Sequence, residues 1–356
     1  MNKINFITSW DIKCGIADTT KSLVDELEKY DDFEFNVCPV QKLGSRNPIY
    51  FFKLLKNIQK NQITHIQYHS DLFGPFIPNF SLSYFPMIIF LLKFWRKNKV
   101  ITTVHEIDSN SRIDRLLLKF LNLSDKLIAH NNKLIDSMNE RGIKKDKLFL
   151  IPLGTSKGKL MDKEWCKNEL GVTKNTVLTT FGFIGPNKGY DLIIDILPQL
   201  KEDCVLIIVG GSQNKDQNRY KNFLKEKISS TKLENRVKFL DFVEEEKLPV
   251  IANATDIFLY PYRWIIASAA LSLALSYEVP TITSDLDYFK EIKREYDCVD
   301  LFKNRNRNDL LEKIQRILDS EEKQNHLKEK CKHFLEKTNW KVICDETRKL
   351  YLDLIY

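Results

Sequence analysis

Short runs of β-branched and aromatic residues alternate along the chain with longer segments whose apolar positions recur at helical spacing. INFITS (4–9) reads as a strand, followed by a helix from about Thr19 to Lys29. FEFNVCPV (33–40), a helix near 49–60 and ITHIQYH (63–69) come next, then VITTVHE (100–106), KLIAH (126–130) and KLFLIPLG (147–154) as further strands. Alternation of this kind predicts a parallel sheet covered by helices on both faces.

A polar, lysine-rich segment at 156–176 interrupts the pattern, which then restarts. TVLTTFGFI (176–184), a helix from Gly189 to Leu200, CVLIIVGG (204–211), RVKFLDFV (236–243), DIFLYPY (256–262), an Ala/Leu/Ser helix at 267–277 and VPTITSDL (279–286) repeat the same plan. From Asn308 to Lys337 the pattern is helical and highly charged, and Asn339-Trp340 opens a last helix to Tyr356. The expected architecture is therefore α/β, with two doubly wound Rossmann-like domains at 1–155 and 156–339. The 356 residues are enough for two hydrophobic cores. Doubly wound sheets bind ligands at the carboxyl ends of their strands. No internal repeat is visible.

Composition narrows the function. Hydrophobic residues at 43% and charged residues at 29% fit a soluble folded chain. The seven cysteines are scattered, with no Cys-x-x-Cys pair and no metal-ligand spacing, which fits reduced thiols and a cytoplasmic setting. The start, MNKINFITSW, lacks the apolar stretch of a signal peptide. The net charge of +7 is spread along the chain, and nothing resembles a nucleic-acid-binding motif, so no nucleic-acid partner is expected. FPMIIFLLKFW (85–95), followed by Arg96, Lys97 and Lys99, is too short to span a bilayer. Two readings stay open for it: a helix packed on its own sheet, or a peripheral contact with the inner face of a membrane bearing anionic lipids.

Two strand-to-helix turns carry candidate chemistry. In SWDIKCGIADTTKSLVDEL (9–27), Gly15 sits between a strand and a helix, where backbone N–H groups can approach a phosphate. In FGFIGPNKGYDLIIDIL (181–197), a loop containing Gly182 carries Lys188, a charge suited to neutralising a diphosphate. The first turn lacks the Gly-x-Gly-x-x-Gly of dinucleotide enzymes and the Lys-Ser/Thr of a P-loop.

These two turns, with TVHE, VKFLDFVEEEKLPVIANATDIFLYPYR and SLALSYEVPTITSDL in this order, resemble the retaining GT-B glycosyltransferases of family 4 over nearly the whole chain. The resemblance implies two domains facing across a cleft, the last helix bracing the first domain, and a nucleoside diphosphate sugar as substrate with neither cofactor nor metal. It implies that Gly15, Gly182 and Lys188 border the diphosphate and that His105 faces the donor sugar. It further implies that Phe242 and Val243 line the base and that Ser268 and Ala269 offer amides to phosphate. His69, Asp71 and Glu106 would border a glycan or lipid-linked acceptor.

The departures are specific. An arginine usual a few residues before Lys188 is absent, with Phe183 and Gly185 in that neighbourhood, and the paired glutamates usual before the Gly-x-Pro turn are Ile265 and Leu273. PYRWIIASAALSLALSYEVP resembles a subgroup lacking those glutamates, in which Arg263 would supply the missing charge. The alternative is a catalytically silent relative that binds glycan or serves as a partner subunit. A phosphorylase or epimerase on the same plan is a more distant third reading.

Overall fold

The computed structural model of the chain describes residues 2–12, 14–40, 48–69, 72–73, 75–77, 80–107, 119–265 and 268–356. Its contacts divide it into two units, Met1–Gly154 with Thr338–Tyr356, and Thr155–Lys337.

The first unit runs β1 (Asn2–Thr8), α1 (Gly15–Leu27), β2 (Phe33–Pro39), α2 (Pro48–Lys56), β3 (Ile63–Tyr68), a hairpin of β4 (Pro75–Ile77) and β5 (Phe80–Ser83), α3 (Phe85–Phe90), β6 (Lys99–Val104), β7 (Lys126–Ala129), α4 (Asn132–Glu140) and β8 (Leu148–Leu150). The second runs α5 (Lys163–Glu169), β9 (Thr176–Phe181), α6 (Tyr190–Ile196), β10 (Cys204–Val209), α7 (Lys215–Ser230), β11 (Val237–Leu240), α8 (Leu248–Ala254), β12 (Ile257–Tyr260), α9 (Ala269–Leu275), β13 (Thr281–Ser284), α10 (Asp287–Tyr296), β14 (Asp300–Phe302), α11 (Arg307–Leu318) and α12 (Glu321–Thr338). The chain then returns to the first unit as α13 (Trp340–Ile355).

Each unit is built on a six-stranded sheet, in the order β2-β1-β3-β6-β7-β8 and β11-β10-β9-β12-β13-β14, and every pairing within them is parallel. In the first sheet β3 is buried at all six positions, as a central strand covered on both faces must be. One face packs against α2, α3 and α4 through Phe51, Ile88 and Met138, the other against α1 and α13 through Val24, Ile343 and Tyr351. Helix α13 starts where Asn339 accepts a hydrogen bond from the Val342 amide, and its Trp340 ring lies so close to Gly154 that a Cβ there would overlap it.

In the second sheet the connections leave β9 in opposite directions, towards β10 and towards β12. That reversal opens a crevice at the carboxyl ends of β9 and β12, where doubly wound sheets take ligands. The lysine-rich stretch at 156–176 is less open than its polarity suggested. Cys166 turns inward, Asp162 caps α5 by accepting from the Trp165 amide at 2.7 Å, and Lys163 and Lys167 both pair with Asp256, at 2.6 and 2.9 Å. These charges are spent on fastening α5 to the sheet.

Candidate functional site

At the carboxyl end of β9 the backbone turns through Gly182 with φ +123°, and Gly210 after β10 has φ +133°. A Cβ on Gly210 would collide with the Gly182 carbonyl, so two bare backbones meet where side chains would fill the crevice. The chain then makes one 3-10 turn, Pro186–Lys188, closed by the Lys188 amide donating to the Gly185 carbonyl at 2.9 Å. Gly189 follows at φ +67°, pressed so close to the Pro261 carbonyl that no Cβ fits.

This turn holds Lys188 with its Nζ 3.7 Å from the centroid of the buried Tyr262 ring. The ring's negative face favours the ammonium. Among the described residues no carboxylate pairs with it, and burial alone lowers its pKa from the usual 10.5 to about 8. At pH 7 the amine is still mostly charged, which makes it a partly desolvated cation lacking a counter-ion.

The neighbouring candidates sort by what they touch. Phe242 is 52% exposed, covers Gly211 and meets the Phe183 ring edge-on at 5.8 Å, so an aromatic corner stands where the missing arginine was expected; Val243 follows it, packed on the core. Ser268 caps α9 by accepting from the Leu271 amide at 3.2 Å, and Ala269 is the first residue of that helix. Ile265 and Leu273 pack against the apolar core of the unit. Arg263 departs from expectation. Its guanidinium is paired with Asp191 at 2.6 Å and donates to the Pro186 carbonyl at 2.6 Å, so its charge is already balanced.

The model of the glycosyl transferases group 1 matches residues 162–334. Those residues are a group 1 glycosyl transferase domain. Mannosylfructose-phosphate synthase of Agrobacterium fabrum is 28% identical to this chain over 171 residues, which cover 45% of the chain and 37% of that protein. The chain thus aligns with little more than a third of that relative's length. Two solved structures share the fold of the whole chain. Anabaena HepE in complex with UDP and glucose superposes with a TM-score of 0.79 at 17% identity, covering 99% of this chain and 100% of that one. Sucrose-phosphate synthase from Thermosynechococcus elongatus gives 0.80 at 15%, covering 100% and 99%. The fold this chain shares with them is GT-B, two Rossmann-like domains, the architecture expected from the sequence.

Within the group 1 domain, sequence reasoning missed three residues that border the Lys188 turn or its crevice. Asp191 anchors Arg263, Tyr220 donates to Asp191 from α7, and the buried Ser212 hydroxyl after β10 has no hydrogen-bond partner among the described residues. Only Ser212 had a local signal, a hydroxyl directly after VGG at a strand end.

In the other unit, the His105 amide continues the sheet by donating to the Tyr68 carbonyl at 3.0 Å, and its Nε2 donates to the Gln67 side-chain oxygen at 2.7 Å. A neutral ring then keeps Nδ1 as an acceptor. Burial, and next the nearby His130, hold His105 well below the usual histidine pKa. Behind it His65 bonds Tyr351 and Thr103, each at 2.7 Å, and a cavity of about 30 Å³ lies among His65, His105, His130 and Trp340. His69 and Glu106 are brought together as a 3.0 Å pair beyond the ends of β3 and β6. Gly15 is the first residue of α1, next to the capping Cys14 sulfur. Asp71 lies outside the described residues.

Proposed function

We propose that the chain is a glycosyltransferase that moves a sugar from a nucleoside diphosphate donor to a glycan or lipid-linked acceptor with retention at the anomeric carbon. The observation that carries this reading is the uncompensated Lys188 ammonium at the switch point of a group 1 glycosyl transferase sheet. A diphosphate supplies the missing counter-charge, and the amine stabilises the further charge that develops as the diphosphate departs. Phe183 and Phe242 offer ring faces to a nucleobase, and the head of α9 at Ser268 and Ala269 offers amides to phosphate. On the other unit, neutral His105, whose Nδ1 is an acceptor, suits a sugar hydroxyl, and His69 with Glu106 suits acceptor hydroxyls.

One specific observation favours a second reading. Ile265 and Leu273 are apolar and core-packed, so neither can hydrogen-bond a ribose or sugar hydroxyl, and a silent binding subunit would tolerate that. Calorimetric titration with UDP, GDP and ADP, followed by transfer assays with the matching sugars, separates the two. Binding with turnover supports the enzyme, binding without turnover supports the silent relative, and a folded protein that binds none of the three sinks both.

The partner surface is proposed to include an anionic membrane. The inner side of α3 and the π-helical turn after it, Leu91–Trp95, buries Phe85, Ile88, Ile89 and Leu92, while Phe90, Phe94 and Trp95 remain exposed, Phe94 at 60%. Neighbouring α2, packed in the same core cluster, exposes Ile49 and Phe52. Exposed Lys53, Lys56, Lys97 and Lys99 flank these side chains, and the Arg96 guanidinium stacks on Trp95 at 4.0 Å. Apolar rings ringed by cations suit a bilayer interface carrying negative lipid. No helix among the described residues is long and apolar enough to cross a membrane. Co-sedimentation should show binding to vesicles containing phosphatidylglycerol and little to pure phosphatidylcholine, with Phe90→Ser/Phe94→Ser reducing it at least tenfold. Equal sedimentation of the double variant and the parent would remove the membrane from this reading.

A further inference from the structure

We propose that Arg263 acts on the diphosphate through Lys188, as a positioning residue that fixes the turn carrying the amine, and not as a second charge on the ligand. The inference rests on the reading of Lys188 as the diphosphate's counter-charge.

A lysine side chain has four rotatable bonds, and a single 3-10 turn is a weak support for it. The turn Pro186–Lys188 is nonetheless tied to the segment Pro261–Arg263 at three points. Gly189 packs its bare Cα side against the Pro261 carbonyl. The Arg263 amide donates to the Asn187 carbonyl at 2.7 Å, and the Arg263 Nη1 donates to the Pro186 carbonyl at 2.6 Å. Between the Pro261 tie and the two made by Arg263 lies Tyr262, whose ring carries the Lys188 ammonium. Amine, ring and turn are thus held in register by the residue that follows the ring.

The other arm of the guanidinium shows why charge is not its contribution. Nη2 donates to Asp191 Oδ2 at 2.6 Å, while Tyr220 donates to Asp191 Oδ1 and accepts from the Asp191 amide at 3.2 Å. Asp191 is in the first turn of α6 and Tyr220 on α7, so the fork braces the turn against two helices. The planar, two-armed guanidinium can hold a carbonyl and a carboxylate at once; an ammonium at the same place keeps the ion pair but not this geometry. Local charge is balanced at Asp191, whereas Lys188 has no ion-pair partner among the described residues.

The test is a double-mutant cycle of Arg263→Lys and Lys188→Ala, read by titration with whichever of UDP, GDP and ADP binds the parent most tightly. Arg263→Lys preserves the charge against Asp191 and so guards against a folding failure, which thermal unfolding checks. It is expected to weaken binding about tenfold when Lys188 is present and less than twofold when residue 188 is alanine. Released from the Tyr262 ring into water, Lys188 should recover a higher pKa, so the alkaline loss of affinity, expected near pH 8 in the parent, should move up by a pH unit or more in Arg263→Lys. An equal loss in both backgrounds, with the pH midpoint unmoved, would make Arg263 an independent contact and overturn the proposal. So would parental affinity in Arg263→Lys. If Lys188→Ala alone leaves affinity intact, the diphosphate reading itself has failed, a result distinct from the other two.

Discussion

Lys188→Ala is expected to lower kcat/KM for the donor by two to three orders of magnitude, with unfolding behaviour close to the parent. Among the described residues the amine makes no ion pair that its loss would orphan, and it rests on the Tyr262 ring face. Removing a preorganised donor aimed at developing charge costs about 3–4 kcal/mol, which is the stated loss. The pH dependence follows from the depressed pKa. Free Lys188 loses its proton near pH 8, whereas a bound diphosphate raises that pKa by favouring the charged form. Affinity is therefore full below about pH 8 and declines as pH rises through it. Lys188→Arg, which stays charged throughout, should lose that decline even where its affinity is lower. A parent whose kcat/KM is flat from pH 7 to 9.5, or a Lys188→Ala variant within threefold of it, would sink the electrostatic account.

The same residues show how far sequence pattern carries. The FGFIGPNKGYD loop was readable because the conformation is written into residue type: glycines mark positive φ at 182 and 189, and a lysine between them has few structural reasons to be there. Strands β9 and β10 were readable because both are buried on two faces, β10 as the continuous apolar run CVLIIV and β9 as the largely β-branched run TVLTTF. Helix α7 was less so, since only Tyr220, Leu224 and Ile228 face the core among many charged positions. β14 is three residues long and offers no period to detect. The pairing of Arg263 with Asp191 was not legible because the partner lies 72 positions away on another element, and a charge read without its counter-charge looks available. His65 was passed over for a related reason. Its two hydroxyl partners are 38 and 286 residues distant, and nothing local distinguishes a histidine buried between them from one at a strand end.

That buried histidine sets the second large effect, a loss of stability in mild acid confined to the unit formed by residues 1–154 and 338–356. His65 is fully enclosed, with Phe6 at 4.9 Å and hydrogen bonds to Thr103 and Tyr351. Burial, with a smaller push from His130, lowers its pKa from 6.5 to about 3. His105 and His130 are lowered in the same direction, chiefly by burial. In the unfolded chain each takes a proton near pH 6.5, while the folded unit refuses it. The unfolded state then binds more protons, so stability is complete above pH 6.5 and falls as pH drops towards 3. For His65 alone the slope is about 1.4 kcal/mol per pH unit, or about 2 kcal/mol between pH 6.5 and 5, before most carboxylates titrate. The group 1 domain is an internal control, because its two histidines, His326 and His333, are exposed. Hydrogen exchange of β3 and β6 amides should accelerate on going from pH 7 to 5, after correction for intrinsic rates, while β9 and β10 hold steady. His65→Gln should be less stable at pH 7 and lose part of the acid slope. Equal protection of β3 at both pH values would mean that the His65 ring accepts its proton in the folded state, and that the C-terminal helix is not held by a neutral imidazole.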